Sequence, residues 1–314
     1  MGSPTLSASP STSVHRETTT TRRAPWWRSR TLKGIGYAAP TAAVVVTLFL
    51  FPLVLMVWMS FNHWPLLGKH AVNGLTNYRA VANNDLIRQA VVFTLRYTLV
   101  ITVVLFVCAF SLALLVQEKR RGVGLIRTAI FLPGTVGLAS ASLLFLGMFN
   151  NEIGPLTPML RTLGIVHGPV SWLGTPNMAL LSACLLIVWR FAGLNMLILL
   201  VGLQAIPAEL YEAARMDGAR RAQILRSITI PLMRRSIAIV LILMITGSLL
   251  AFDQFYILTA GGPDNSTISI VMVIYREAFT RLNLGTAAAL SVLVLLAVLV
   301  VNAVQFRGLR RDED

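Results

Sequence analysis

Long apolar segments recur along the chain, and a polar connection separates each from the next. Four of them contain no charged residue: Ala38 to Ser60, Tyr97 to Val116, Thr128 to Phe149, and Gly285 to Phe306. Two more contain one charge each, since Met178 to Ile206 includes Arg190 and Ile237 to Thr259 includes Asp253. A membrane-spanning helix needs about 20 mostly apolar residues. The pattern therefore predicts an all-α integral membrane protein with six transmembrane helices.

The composition supports this interpretation. Of the 314 residues, 55% are hydrophobic and 13% are charged, whereas an ordinary soluble domain carries roughly 25% charged residues. A soluble fold is excluded because the chain lacks the polar residues to cover so much apolar surface. The two cysteines, Cys108 and Cys184, lie inside apolar segments and indicate packing rather than a disulfide framework or a thiolate metal site.

The basic residues define an orientation. With 27 Lys and Arg against 13 Asp and Glu, the net charge is +14, which raises nucleic-acid binding as an alternative. Nineteen of the basic residues lie in the N-terminal tail, in 117–127, in 204–236 and in the C-terminal tail, while seven lie in the alternate connections. Because cytoplasmic loops carry the excess of Lys and Arg, both termini are predicted to be cytoplasmic. Topology explains the charge, and no nucleic-acid partner is expected.

The segments outside the spans differ in character. Residues 1–33 are rich in Ser, Thr, Pro and Arg and predict a disordered cytoplasmic tail, with a transit peptide as the weaker alternative. Residues 34–308 form the predicted transmembrane domain, and 309–314 a short cytoplasmic tail. In an outer connection, Leu75, Tyr78, Val81 and Ala82 have helical spacing. A short interfacial helix and an ordinary loop are equally good interpretations of that stretch.

The sequence contains no motif for chemistry of its own. It has no phosphate-cradling G-x-x-x-x-G-K-[ST] loop, no G-x-S-x-G nucleophile elbow, and no His, Cys or carboxylate cluster with metal-ligand spacing. We therefore expect neither an enzyme working alone nor a metal or cofactor bound by this chain.

The connection between spans four and five, about 204–236, has features that favour docking to another protein. Pro207 suits the first turn of a helix, Glu209 and Glu212 lie where negative charge is favoured, and Gly218 can take the left-handed conformation that ends a helix. A second helix is predicted from about Ala219 to Ile230, ending at Pro231. A cytoplasmic helix pair that presents small residues favours a protein contact.

The same connection carries a family resemblance. Glu212, Ala213 and Ala214, followed at fixed spacing by Gly218, Ile228 and Pro231, resemble the EAA loop of binding-protein-dependent ABC importer permeases. The family pattern ends Ile-x-Leu-Pro, and Ile230 replaces the leucine here. Further segments resemble the carbohydrate and glycerol-phosphate branch: Gly74 to Tyr78, Arg127 to Pro133, Trp172 to Pro176, and Phe252 to Pro263 with Asn265 to Thr267. The resemblance covers roughly residues 34–308.

The resemblance implies a mechanism and a set of partners. In this family the EAA loop is a coupling helix that sits in a cleft of a separate ATP-binding cassette ATPase dimer, which binds ATP and Mg²⁺. An extracytoplasmic solute-binding protein delivers the solute, and a second permease subunit completes the pathway in the bacterial inner membrane. The implied coupling residues are Leu210, Glu212, Ala213, Ala214, Met216, Asp217 and Gly218.

Polar residues inside the spans are the candidates for solute contact. At 1.5 Å per residue, Arg190 lies about 18 Å from the outer end of span four and Asp253 about 9 Å from the outer end of span five. Intramembrane charges are functional by default, which makes a role in the solute pathway one interpretation. A structural Arg190–Asp253 pair is the second, and neither of these roles is the third. Asn195, Gln254 and Tyr256 could offer hydrogen bonds to a hydroxyl-rich solute.

Two other classes of protein compete with an importer permease. A secondary transporter or channel subunit driven by an ion gradient predicts ionisable relays within several spans, whereas only Arg190 and Asp253 are present. A membrane scaffold without transport activity leaves the docking helix unexplained. The sequence thus favours a sugar or polyol permease and does not identify the solute.

Overall fold

A computed structural model describes residues 2, 26–66, 68–118 and 120–310. The helices are α1 Trp26–Val45, α2 Phe51–Ser60, α3 Thr76–Ala82, α4 Asp85–Leu115, α5 Val123–Phe131, α6 Leu138–Met148, α7 Leu156–Thr162, α8 Pro176–Gln204, α9 Ala208–Met216, α10 Arg221–Ile224, α11 Ile230–Leu232, α12 Arg234–Leu249, α13 Asp253–Leu258, α14 Ile270–Tyr275 and α15 Leu284–Arg310. Strands β1 Asn62–His63 and β2 Ala71–Val72 pair antiparallel. Three π turns, Val46–Leu50, Leu225–Thr229 and Arg276–Thr280, and a 3₁₀ turn, Leu132–Thr135, connect helices.

The chain divides into two units, Met1–Val54 and Leu55–Asp314. Helix α1 continues through the π turn into α2, and the boundary of the first unit falls within α2. The turn ends at Leu50, and Phe51 is then followed by Pro52, which has no amide hydrogen to donate to a helix. Most of the tail predicted over residues 1–33 lies outside the described residues, as does 311–314 of the C-terminal tail. The stretch from Trp26 to Lys33 is helical.

Four helical segments are long and apolar enough to cross a membrane: Tyr37–Ser60, Asp85–Leu115, Pro176–Gln204 and Leu284–Gly308. Two bent helix pairs qualify when each pair is counted as one span, so the described residues hold four to six candidate spans. The predicted mostly helical membrane protein is confirmed at this level. The count of six stays a prediction.

The third predicted span, Thr128 to Phe149, is not one helix. It is divided between α5 and α6, which meet at an angle of 95° across the 3₁₀ turn. Pro133 and Gly134 lie in that turn, and Gly137 before α6 has extended backbone angles. The prediction of a continuous helix was wrong because the proline removes a helical hydrogen bond and the glycines favour other conformations.

The fifth predicted span, Ile237 to Thr259, is also interrupted. Helix α12 ends at Leu249, and α13 begins at Asp253 after Phe252 has left the helical region (φ −136°, ψ −64°). The break places Asp253 in the first turn of a new helix, where a negative charge is favoured.

Helices α4 and α8 form the centre of the second unit. Helix α4 begins at Asp85, well before the predicted start at Tyr97, because the Asn84 side chain accepts a hydrogen bond from the Leu86 amide at 3.0 Å and caps the helix. Its buried positions recur every three or four residues. Half of the most apolar 18-residue stretch of α8 is buried, which is the largest share among the four long candidate spans.

Small residues allow backbones to approach α8. A Cβ added to Gly193 would overlap the Ile130 carbonyl oxygen of α5, and one added to Gly202 would overlap the Ser236 side chain of α12. Such close packing is typical of membrane helix interfaces.

Of the two interpretations left open for the stretch around residues 75–82, the structure shows the short helix, α3. Its Asn77 side chain donates hydrogen bonds to the Ser60 and Asn62 carbonyl oxygens, both at 2.9 Å. An interfacial position for α3 stays a prediction.

Candidate coupling loop and solute cavity

The predicted docking helix is α9, and its boundaries follow from the local sequence. Pro207 precedes the helix in an extended conformation, and Gly218 follows it with φ +76°. The Gly218 amide donates to the Arg215 carbonyl and the Ala219 amide to the Ala214 carbonyl, at 3.0 and 2.9 Å. The predicted glycine stop is confirmed, because these bonds satisfy carbonyls that the helix end leaves free.

The candidate coupling residues lie mostly on the exposed surface of α9. Leu210 is 43% and Met216 87% exposed; Glu212, Ala213, Asp217 and Gly218 are also exposed, and Ala214 is half-buried. On the other side, the Tyr211 hydroxyl lies 3.3 Å from the hydroxyl of Thr229, which is buried. Helix α9 is thus fixed to the following segment by one side while it presents apolar and small side chains outward.

The second helix of this loop differs from the prediction. It runs from Arg221 through a π turn to Leu232, so Pro231 does not end it. The π turn lets the Ile230 amide donate to the Leu225 carbonyl directly before the proline. The chain turns two residues later, at Met233, where the axis bends by 73° into α12. A proline is tolerated because the neighbouring hydrogen bonds are rearranged.

A cavity of about 310 Å³ lies between α4, α6, α8, α12 and the start of α13. Three of the five candidate solute residues line it: Asn195, Asp253 and Gln254. Most of its remaining lining is apolar. A largely apolar cleft with a few fixed polar groups is the usual form of a small-molecule site.

Hydrogen-bonding capacity remains free in the cavity wall. Gln254 is buried and donates from Nε2 to the Tyr97 hydroxyl at 3.2 Å, whereas its Oε1 has no partner in the described residues. The Thr102 hydroxyl, also in the lining, has none either. Asn195 donates to the Phe191 carbonyl at 2.8 Å. Because unpaired buried polar groups are costly, these two atoms are hydrogen-bonding capacity that the described residues leave unused beside the cavity.

Arg190 and Asp253 are not brought together. The described residues contain no ion pair between them, and Arg190 is absent from the cavity lining. Its guanidinium carbon lies 4.9 Å from the Phe191 ring centre, and a Cβ on Gly134 would lie 3.6 Å from its Nη1. Arg190 therefore reaches the 3₁₀ turn between α5 and α6.

Tyr256 lies outside the cavity lining, in an aromatic cluster. Its ring packs on Phe252 and Tyr275 with centres 5.1 Å apart in each case, and Phe279 continues the contact from Tyr275. Phe252 also lines the cavity. Tyr256 is therefore connected to the cavity through Phe252.

Sequence reasoning missed the contribution of α4. Tyr97, Thr102 and, from α12, Ser248 also line the cavity. In the sequence these residues stand out only as polar groups within apolar spans. That pattern does not show which neighbours they face in the fold. Among the described residues, no three His, Cys, Asp or Glu side chains are grouped as metal ligands.

Comparison with known proteins identifies relatives along most of the chain. The multiple sugar-binding transport system permease protein MsmF of Streptococcus mutans is 32% identical over 269 residues, which cover 85% of this chain and 92% of that protein. The sn-glycerol-3-phosphate transport system permease protein UgpA of Agrobacterium fabrum is 32% identical over 274 residues, covering 86% and 92%. These relatives confirm the predicted resemblance to the carbohydrate and glycerol-phosphate branch.

The fold is shared with a solved transporter. A chain of the bacterial alginate ABC transporter, crystallised in complex with an alginate pentasaccharide-bound periplasmic protein, has a TM-score of 0.77 and 21% identity, covering 91% of this chain and 97% of that one. A family model for the inner membrane component of binding-protein-dependent transport systems matches residues 98–307. The chain therefore belongs to that family, as a multi-pass transport subunit rather than an enzyme.

Proposed function

We propose that this chain is the permease subunit of an ATP-driven importer, that it forms half of the pathway for a sugar or related polyol, and that α9 couples it to a separate ATPase. The observation that carries this proposal is α9 itself. It is a short exposed helix that contains the EAA residues. The Tyr211 hydroxyl contacts Thr229 on its other side, and Gly218 in a left-handed conformation ends it. Its exposed Leu210 and Met216 favour a protein contact, since large apolar side chains gain most from burial in an interface.

The proposed topology has six spans with both termini in the cytoplasm of a bacterial inner membrane. In this topology each bent pair counts as one span, and the 19-to-7 distribution of basic residues supports the orientation. This orientation places α9 on the ATPase side and α3 and α7 on the outer side.

The proposed solute site is the cavity between α4, α8 and α12. Its free acceptor Gln254 Oε1 and the hydroxyl of Thr102 suit a neutral hydroxylated solute. Asn195 and Asp253 add polar atoms to the wall. The relative named for sugar transport supports that class of solute. Arg190 and Tyr256 are assigned to the margin of the pathway.

The partners follow from the family. They are a second permease subunit, an ATP-binding cassette ATPase dimer that binds ATP and Mg²⁺, and an extracytoplasmic solute-binding protein. A secondary transporter or channel subunit remains the competing class, and it would need no ATPase.

The test is solute-stimulated ATP hydrolysis by the reconstituted complex. Gly218→Val forces a β-branched residue into a positive-φ position, at a local cost on the order of 1–2 kcal/mol, and should displace α9 from its cleft. We expect insertion and assembly to survive while uptake and stimulated hydrolysis are lost.

Gly122→Val is the matched control, since Gly122 also has positive φ (+89°) and open space around its Cβ position, in a different connection. Normal stimulation and uptake in Gly218→Val would refute coupling through α9. Uptake that persists without any ATPase subunit would favour the competing class.

A further inference from the structure

A second cavity opens on the other side of the α4–α8 pair. It is a groove of about 660 Å³ whose walls are apolar apart from two residues at one end. Val104 of α4 and Leu181, Leu185 and Trp189 of α8 line its length and are all at least one-third exposed. Among the described residues of the unit that contains both helices, nothing covers this apolar surface.

The polar end of the groove is formed by Arg96 and Asn177. Both side chains are exposed, and Arg96 Nη2 donates to Asn177 Oδ1 at 3.1 Å. This bond orients the guanidinium and uses one of its five N–H donors. Among the described residues that line the groove, Arg96 alone is charged. An occupant of matching chemistry is therefore apolar along its length and anionic at one end.

The length of the groove matches one leaflet of a bilayer. From Arg96 to Val104 the α4 axis advances about 12 Å, and from Asn177 to Trp189 the α8 axis advances about 18 Å. Half of a hydrocarbon core that is about 30 Å thick is about 15 Å. A transmembrane helix of a second subunit runs through the full thickness, whereas this groove ends near the middle.

We infer that the groove binds an anionic phospholipid, with an acyl chain between α4 and α8 and the phosphate on Arg96. The proposed orientation makes this leaflet the outer one. The site is separate from the solute cavity and from α9, so its failure would leave the proposed transport function intact.

The experiment measures lipid retention. The full-length chain, purified from membranes with the subunits that copurify, is mixed with phosphatidylglycerol or phosphatidylcholine and examined by native mass spectrometry. We expect wild type to retain more phosphatidylglycerol than phosphatidylcholine. Arg96→Gln should lower phosphatidylglycerol retention about fivefold, the factor for losing one surface cation from an anionic membrane contact. Arg96→Lys should keep retention within about twofold, since it keeps the charge.

Arg88→Gln is the matched control, because Arg88 is an exposed arginine of α4 outside the groove lining. A photoreactive residue in place of Leu185, with Arg96 intact, gives an independent measurement that survives any folding defect of the Arg96 variants. It should cross-link to phospholipid. Equal retention of the two lipids, unchanged retention in Arg96→Gln, or a cross-link to a protein subunit would each overturn the lipid site.

Discussion

Replacement of Gln254 by Leu tests the solute cavity most directly. The two polar atoms of the Gln254 side chain differ: Nε2 donates to the Tyr97 hydroxyl, whereas Oε1 is buried without a partner in a residue that lines the cavity. Leucine has a similar size and neither polar atom. The change therefore removes the proposed solute acceptor while the wall of the cavity stays filled.

The two structural effects of Gln254→Leu on stability oppose each other. Loss of the hydrogen bond to Tyr97 costs about 1 kcal/mol, whereas removal of a buried unpaired oxygen relieves a penalty of about 1–3 kcal/mol. Water in the cavity can replace the lost partner of the Tyr97 hydroxyl. We expect the free energy of unfolding to change by less than about 2 kcal/mol in either direction. One neutral hydrogen bond to the solute is worth about 0.5–1.5 kcal/mol, so uptake should fall by about 2- to 13-fold.

The assay compares uptake of a panel of neutral sugars by the reconstituted complex, with thermal unfolding measured in parallel. Gln305→Leu is the matched control, because Gln305 Oε1 is also buried without a partner but lies in α15, outside the cavity lining. It should leave uptake unchanged. Uptake at the wild-type level in Gln254→Leu for every transported sugar would refute a solute contact at Oε1.

Two further predictions concern topology and packing. In a background without Cys108 and Cys184, an impermeant thiol reagent should label a cysteine at the exposed position Asp264 in intact cells and not one at the exposed position Ala222; the reverse pattern would invert the proposed orientation. Gly193→Ala should lower the stability of the chain by about 1–3 kcal/mol in thermal unfolding, because its Cβ would overlap the α5 backbone, whereas Gly147→Ala, with open space in α6, should not. Equal stability of the two variants would contradict the close α5–α8 approach.

The sequence predicted most strongly those features that depend on local residue types. Apolar length located the candidate spans, and Pro207 and Gly218 located the ends of α9. Asn195, Asp253 and Gln254 were selected as polar residues in apolar segments, and all three line the cavity. Position along a helix does not determine neighbours, however, so the Arg190–Asp253 pair that one-dimensional depth allowed is absent from the described residues.

The interrupted helices were missed for a physical reason that also connects them to the cavity. Hydropathy is averaged over a segment and does not detect a change in the direction of the helix axis. Both interrupted segments therefore looked like continuous spans. At membrane depth, non-helical backbone is tolerated only where protein buries it or where it lines a cavity, since its polar groups find no partner in lipid. Leu138, directly after the first interruption, and Leu250 to Gln254, across the second, all line the same cavity. Pro133, Gly137 and Phe252 thus have a common consequence: they interrupt two helices at the places where the chain surrounds the candidate solute site.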